Sequence, residues 1–228
     1  MCLSAQFDLV VGAAISVIAI DAIRHCRTGR ELPLGLLPAV FAVHTFLSAV
    51  IWLGVDGSVS QPIAQSASVL YLFIAYALLP VYVPIAVLLI APPDWHRIAV
   101  LVMCAVGVIP AVGYGYALMQ GRGTASPDSY YIAFGVEGTA GVLGVLYVVS
   151  TCGAMLLSGS AALIAWGLLN TVAVSGLVAW NSLGLPALWC LWAAATSGLV
   201  AWFLRKERPQ QQETDWVAEA LRPRGLRP

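Results

Sequence analysis

Long apolar segments separated by short polar breaks dominate the hydrophobic pattern of this chain. A helix that crosses about 30 Å of hydrocarbon needs roughly 20 residues. We therefore predict seven transmembrane helices, near residues 5–23, 33–54, 62–91, 96–119, 131–156, 161–183 and 185–204. The predicted fold is all-α: a polytopic transmembrane domain over residues 1–204, followed by a cytoplasmic tail over residues 205–228.

The third apolar segment is too long for one straight crossing. It contains Pro80 and Pro84 in the run Leu79-Pro80-Val81-Tyr82-Val83-Pro84. Each proline removes a backbone donor and crowds the carbonyl four residues earlier. We expect these prolines to kink or unwind the helix and to free carbonyl groups that only protein or water can satisfy.

Composition supports a membrane protein and excludes several other classes. The chain is 60% hydrophobic and 10% charged, and its mean hydropathy is +0.87. A nucleic-acid binder or a disordered regulator needs far more charge, and a disulfide scaffold needs denser cysteines. The bilayer is therefore an expected partner, and nucleic acid is not.

The positions of the basic residues predict the orientation. By the positive-inside rule, short loops rich in Lys and Arg stay in the cytoplasm. The basic residues on one side are Arg24, Arg27, Arg30, Arg97, Arg205, Lys206 and Arg208, whereas Arg122 stands alone on the other. This predicts an outside N-terminus.

In the tail, residues 214–221 fit either a short interfacial helix or a frayed, solvated segment.

Neither a metal site nor a cofactor is predicted. The five cysteines are scattered and form no CxxC pair, so we interpret them as small packing residues. Whether Cys2 and Cys190 meet stays open. The single lysine, Lys206, lies outside the spans, which argues against a retinal Schiff base.

Ionisable residues within a membrane are the first candidates for function. Glu137 is predicted about two turns into the fifth span, in a run that also contains Gly135, Gly138, Gly141 and Gly144. Desolvation favours the protonated form of a carboxyl, so Glu137 is a candidate proton donor. The alternative is a protonated packing residue.

Two further ionisable groups are candidates. His44 lies near the middle of the second span, and Ser48 follows one turn later on the same face. Asp8, at the outer end of the first span, has a depth compatible with that of Glu137. A buried neutral histidine and a helix-capping aspartate are the structural alternatives. We interpret Asp21 as an interfacial ion-pair residue, because Arg24 and His25 follow it.

Aromatic residues provide candidates for binding an apolar ligand. Ring faces attract positive charge, including that of a cationic intermediate. The candidates for a cavity lining are Trp52, Tyr71, Tyr76, Trp166 and Trp189, with Ser48 as a polar contact. For Trp52, Tyr71 and Trp189 the alternative is an aromatic belt at the membrane interface.

Four segments resemble an uncharacterised family of bacterial integral membrane proteins: Met1-Cys2-Leu3-Ser4-Ala5, Trp52 at the end of the second span, the Leu79–Pro84 run, and residues 188–194. The resemblance covers residues 1–204 and implies seven spans in a bacterial cytoplasmic membrane, but no established activity. That family tends to have Gln or His followed four residues later by Glu in the second span. Here the positions are His44 and Ser48, so the acid is missing.

The layout is also similar to that of small integral membrane terpene cyclases, which protonate an olefin or epoxide with a buried carboxylic acid. This likeness implies a metal-independent enzyme that acts on an isoprenoid or another lipid-like molecule. Glu137 is the expected acid, and Asp8 or His44 is expected to tune or reprotonate it. A small proton-coupled transporter and a lipid-binding scaffold are the alternatives.

Overall fold

The structure, a computed structural model, describes residues 4–127, 131–139, 141–180 and 185–205. Its first half is helical. The elements are α1 (Ala5–Arg24), α2 (Leu32–Val55), α3 (Gln61–Leu72), a π-helix (Phe73–Leu78), α4 (Leu79–Ile90) and α5 (Trp95–Met119). α3, the π-helix and α4 form one continuous 30-residue helix, Gln61–Ile90.

The second half begins with a β-hairpin and continues with helices. The elements are β1 (Gly123–Pro127), β2 (Ile132–Val136), α6 (Gly141–Leu156), α7 (Ala161–Trp180) and α8 (Leu185–Arg205). The two strands are antiparallel, and Ala125 pairs with Phe134. Of the predicted tail over residues 205–228, residues 206–228 lie outside the described residues, as do Cys2 and the side chain of Cys190.

Four helices in the described part are long and apolar enough to cross a membrane: Ala5–Arg24, Leu32–Val55, Gln61–Ile90 and Trp95–Met119. Their outward faces carry exposed apolar side chains, such as Val17 on α1 and Val112 on α5. α6 has only 16 residues, which is about 24 Å of helix. Four of the seven predicted crossings are thus matched by helices of sufficient length.

The predicted disruption of the third segment is confirmed. A π-helix occupies Phe73–Leu78, directly before Pro80. Because Pro80 has no N–H, the carbonyl of Tyr76 loses its helical partner, and the wider turn relieves the clash with the proline ring. Pro84 releases the carbonyl of Pro80 in the same way, and this carbonyl packs directly against Gly107 of α5.

The prediction of a helix from residue 131 is wrong. Residues 132–136 form strand β2, and helix α6 begins only at Gly141. The physical reason is local. Ile132 and Phe134 are buried with less buried residues between them, which is the two-residue period of a strand. Each glycine in a helix also costs about 1 kcal/mol relative to alanine, so the glycine-rich stretch disfavours a longer helix.

The basic ends of several helices meet at one end of the bundle. Arg205 at the end of α8 forms a two-contact ion pair with Asp21 of α1, with Nε at 2.8 Å from Oδ2 and Nη2 at 2.6 Å from Oδ1. His25 lies 3.6 Å from the same carboxylate. Asp21 is therefore an ion-pair residue as predicted, but its main partner is distant in sequence.

Candidate functional site

Asp8 lies on the buried face of α1. Ser4 begins the helix by accepting a hydrogen bond from the backbone N–H of Phe7, and a carboxylate in the first turn suits the positive end of the helix dipole. The buried positions of α1 recur every three or four residues: Ala5, Asp8, Gly12, Ile15, Ala19 and Ala22. This face packs against α2 and α8, so Asp8 is only 2% exposed.

The packing of α1 on α2 sets the height of Asp8. Gly12 faces the ring of Phe46, and Gly35 faces Ala22, so the two helices run antiparallel. Continuing this register by one turn places Asp8 level with Val50. Asp8 therefore lies at the height of Ser48 and Trp52, and His44 lies about 9 Å deeper along the axis.

Ser48 and Trp52 carry polar atoms that have no hydrogen-bond partner in the described part of the chain. These are the Ser48 hydroxyl and the indole Nε1 of Trp52, both buried. Most hydroxyls in the helices of this chain donate to the carbonyl four residues earlier, as Thr45 does to Phe41 at 2.8 Å. Ser48, which is completely buried, does not. Asp8, Ser48 and Trp52 thus lie at one height of the bundle, and we call these three residues the outer polar cluster.

His44, Tyr71 and Phe134 stack into one aromatic column. The centroids of His44 and Tyr71 are 3.7 Å apart with the planes at 27°. Those of Tyr71 and Phe134 are 3.9 Å apart at 20°. All three side chains are buried, and a backbone hydrogen bond with Tyr71 also holds His44. The column joins α2, α3 and β2 in the half of the bundle that contains Asp8.

The remaining predicted aromatic residues are dispersed. Tyr76 of the π-helix packs against Tyr114 of α5, with ring centroids 4.8 Å apart. Trp166 is buried on α7 beside a cavity of about 30 Å³ in the other half of the bundle. The side chain of Trp189 lies outside the described residues. Among the described residues, Trp52, Tyr71 and Tyr76 therefore belong to one apolar cluster, and Trp166 belongs to another.

Glu137 does not lie in a membrane-spanning helix, and this corrects the prediction of its position. It occupies an exposed turn after β2, where its N–H donates to the carbonyl of Arg122 at 2.9 Å. The following Gly138 has a φ of +70°, a conformation that glycine adopts at no steric cost. Among the residues that the structure describes, the buried carboxyl is that of Asp8.

Phe134 is the site residue that the sequence analysis missed. It was assigned to a helix, so its contact with Tyr71 was not expected. The strand-like alternation of Ile132, Phe134 and Val136 was the signal for an inward-facing position.

An apolar groove runs between α3 and α5 on the outside of the bundle. Its volume is about 690 Å³, which is within the roughly 300–1,000 Å³ of ligand pockets. The lining residues are Pro62, Gln65, Ser66, Val69, Leu70, Phe73, Gly115, Leu118 and Met119. Leu118 also belongs to the apolar cluster that contains Tyr71, so the groove borders this cluster.

The described residues contain no group of three His, Cys, Asp or Glu side chains placed to hold a metal ion. No curated protein and no solved structure is significantly similar to the chain. The profile of a family of unknown function, DUF6629, matches residues 1–215. This agrees with the resemblance to an uncharacterised family. The chain therefore belongs to the DUF6629 family of unknown function.

Proposed function

We propose that this protein is a membrane-embedded terpene cyclase that protonates an olefin or epoxide of an isoprenoid substrate, with Asp8 as the acid. The observation that carries the proposal is the burial of the Asp8 carboxyl among α1, α2 and α8. A carboxylic acid held away from bulk water can deliver a proton to a weak base such as an olefin or an epoxide. Asp8 thus takes the role that the sequence analysis gave to Glu137.

The outer polar cluster supplies hydrogen-bond donors at the height of this acid. The Ser48 hydroxyl and the Trp52 indole N–H lie at the height of Asp8 and have no partner among the described residues. A buried donor without a partner costs about 1–3 kcal/mol, so an oxygen atom of a substrate would be bound there favourably. These two donors orient the substrate toward Asp8.

The aromatic column accounts for the rest of the reaction. Protonation of a carbon–carbon double bond by Asp8 leaves a carbocation, which closes a ring on a second double bond. The face of Phe134 that does not stack on Tyr71 stabilises the positive charge. His44 then accepts a proton from a neighbouring carbon and passes it to solvent, and Asp8 is reprotonated from solvent, so the product is an isomer of the substrate. The difference of about 9 Å in height between Asp8 and His44 separates proton addition from proton removal.

The apolar groove provides a route from the lipid. An isoprenoid partitions into the bilayer, and the groove between α3 and α5 has the volume of a ligand pocket. Leu118 lines this groove and belongs to the apolar cluster that contains Tyr71. A substrate chain in the groove reaches the column by displacing side chains of this cluster.

Purified protein in lipid vesicles is expected to convert a farnesyl- or geranylgeranyl-bearing acceptor, or its epoxide, into a cyclic product. In H₂O the product has the mass of the substrate. In D₂O the product from the olefin gains one deuterium, because a solvent-derived proton is added to carbon and a different proton is lost. Chromatography with mass spectrometry measures both results. Absence of any isomer with all these substrates, from folded protein, rejects the proposal.

The proposed reaction is assigned to a seven-helix protein of a bacterial cytoplasmic membrane, with the N-terminus outside and the C-terminus inside. Arg24, Arg27 and Arg205 belong to one end of the bundle, which is the cytoplasmic end by the positive-inside rule. The hairpin lies at the opposite end. It contacts α3, α5 and α8.

This orientation predicts the labelling of two exposed loop positions. A membrane-impermeant maleimide is expected to label Ser58→Cys in intact cells, because residue 58 is exposed in the loop after α2. Gly29→Cys, which has no atom within 4 Å of its new Cβ, should react only after the cells are permeabilised. The unsubstituted chain gives the background from native cysteines. The reverse labelling pattern contradicts the orientation.

A proton-coupled permease is the second candidate function. The π-helix before Pro80 favours it, because interrupted helices near the membrane centre often form the moving parts of transporters. In that case Asp8 and His44 relay protons. This function is preferred if vesicles yield no isomer and instead show a pH-driven flux that His44→Ala reduces.

A further inference from the structure

A small cavity lies between α2, α4, α6, α7 and α8, away from the outer polar cluster. Its volume is about 30 Å³, whereas a buried water needs about 10–15 Å³. Apolar side chains form much of the wall: Leu37, Phe41, Leu79, Val83 and Met155. The polar side chains on the wall are Thr151, Trp166, Asn170 and Thr196, each at most 6% exposed.

One of these polar groups lacks a partner within the described part of the protein. The indole Nε1 of Trp166 is buried and makes no hydrogen bond there. Within a membrane, bulk water cannot reach such a donor, and a buried donor without an acceptor is rare. The burial of this donor beside a cavity of sufficient volume therefore points to an occupant that accepts a hydrogen bond.

Two other side chains on the cavity wall, Asn170 of α7 and Thr151 of α6, offer acceptors. Asn170 Oδ1 accepts a hydrogen bond from Trp192 Nε1 at 3.1 Å, and an amide oxygen can accept a second. Thr151 Oγ1 donates to the carbonyl of Tyr147 at 2.9 Å, which leaves its lone pairs available. Only a molecule that both donates and accepts hydrogen bonds can bind the Trp166 donor and the Asn170 and Thr151 acceptors together.

We propose that this cavity binds an ordered water molecule. The water accepts from Trp166 Nε1 and donates to Asn170 Oδ1 and Thr151 Oγ1, so it bridges α6 and α7. Through the Asn170–Trp192 hydrogen bond it also connects to α8. The site is independent of the proposed cyclase activity. In this site Trp166 binds a water molecule. A larger ligand does not fit, because the cavity volume of 30 Å³ is far below the roughly 300 Å³ of the smaller ligand pockets.

The test compares Thr151→Val with Thr171→Val. Both changes replace a hydroxyl that bonds the carbonyl four residues earlier, but Thr171 does not line the cavity. Loss of one partner of the water is expected to lower the melting temperature by about 2–4 °C in Thr151→Val, with a smaller change in Thr171→Val. An experimental density map of the unsubstituted protein should show the water next to Trp166 Nε1.

Xenon distinguishes a hydrated cavity from a dry one, because xenon enters empty apolar cavities. Under xenon pressure, no xenon density is expected at this site. Three results would each overturn the proposal: xenon bound beside Trp166, a map that shows other buried waters but none here, or equal melting temperatures for the two threonine variants.

Discussion

Replacement of Asp8 by asparagine is expected to lower the rate of isomer formation by about 100- to 10,000-fold, the usual contribution of a positioned general acid. Asparagine has nearly the shape of aspartic acid, so the packing of α1 on α2 and α8 is preserved. Its amide can donate a hydrogen bond but does not release a proton to a double bond. Substrate binding should change little, because the Ser48 and Trp52 donors remain.

Glu137→Gln is the matched control, since it makes the same chemical change in an exposed turn. Its turnover should equal that of the unsubstituted protein. Both variants are compared at equal amounts of folded protein, with single-turnover rates and substrate affinity measured separately. A folded Asp8→Asn variant with unchanged turnover would show that another group is the acid. Loss of turnover in Glu137→Gln would return that role to Glu137.

Gly107→Ala is expected to destabilise the protein by about 1–3 kcal/mol, the typical cost of overpacking a tight contact. A Cβ at residue 107 would overlap the carbonyl oxygen of Pro80. This carbonyl has no helical partner, because the residue four positions later is Pro84. Backbone atoms cannot move aside as a flexible side chain can, so α5 must separate from α4. Thermal unfolding in detergent or lipid measures the loss.

Gly115→Ala provides the comparison within the same helix. The nearest atom to its new Cβ is the Cβ of Ala77 at 3.9 Å, which is an ordinary contact. Alanine also favours a helix over glycine by up to about 1 kcal/mol. The melting temperature of Gly115→Ala should therefore be unchanged or slightly raised. Equal melting temperatures for Gly107→Ala and Gly115→Ala would show that α4 and α5 pack less closely than described.

Much of the fold was predictable because it depends on properties of single residues. Hydropathy adds along the chain, so the four long apolar helices are evident without any tertiary information. The proline effect acts on the preceding turn, and the π-helix lies at that turn. The short apolar run at 131–136 was ambiguous, because such a run can be a strand or part of a helix.

The candidate site was predictable only in part. Asp8, His44 and Ser48 are polar residues in apolar segments, and that contrast selects them from the sequence alone. Glu137 met the same criterion, but it lies outside the helix because the hairpin precedes it. Local spacing likewise indicated Arg24 as a partner for Asp21, whereas the ion pair is made by Arg205, 184 residues away.

The sequence by itself determined which segments are apolar, where the helical pattern is interrupted and which polar residues lie within apolar segments. These properties depend on side chains that are close in the chain. Only the tertiary structure decided that Asp8, not Glu137, is the buried carboxyl, and that His44, Tyr71 and Phe134 form one column. The physical reason is that burial and ring stacking depend on how α1, α2, α3 and the hairpin pack together, and no local pattern encodes that arrangement.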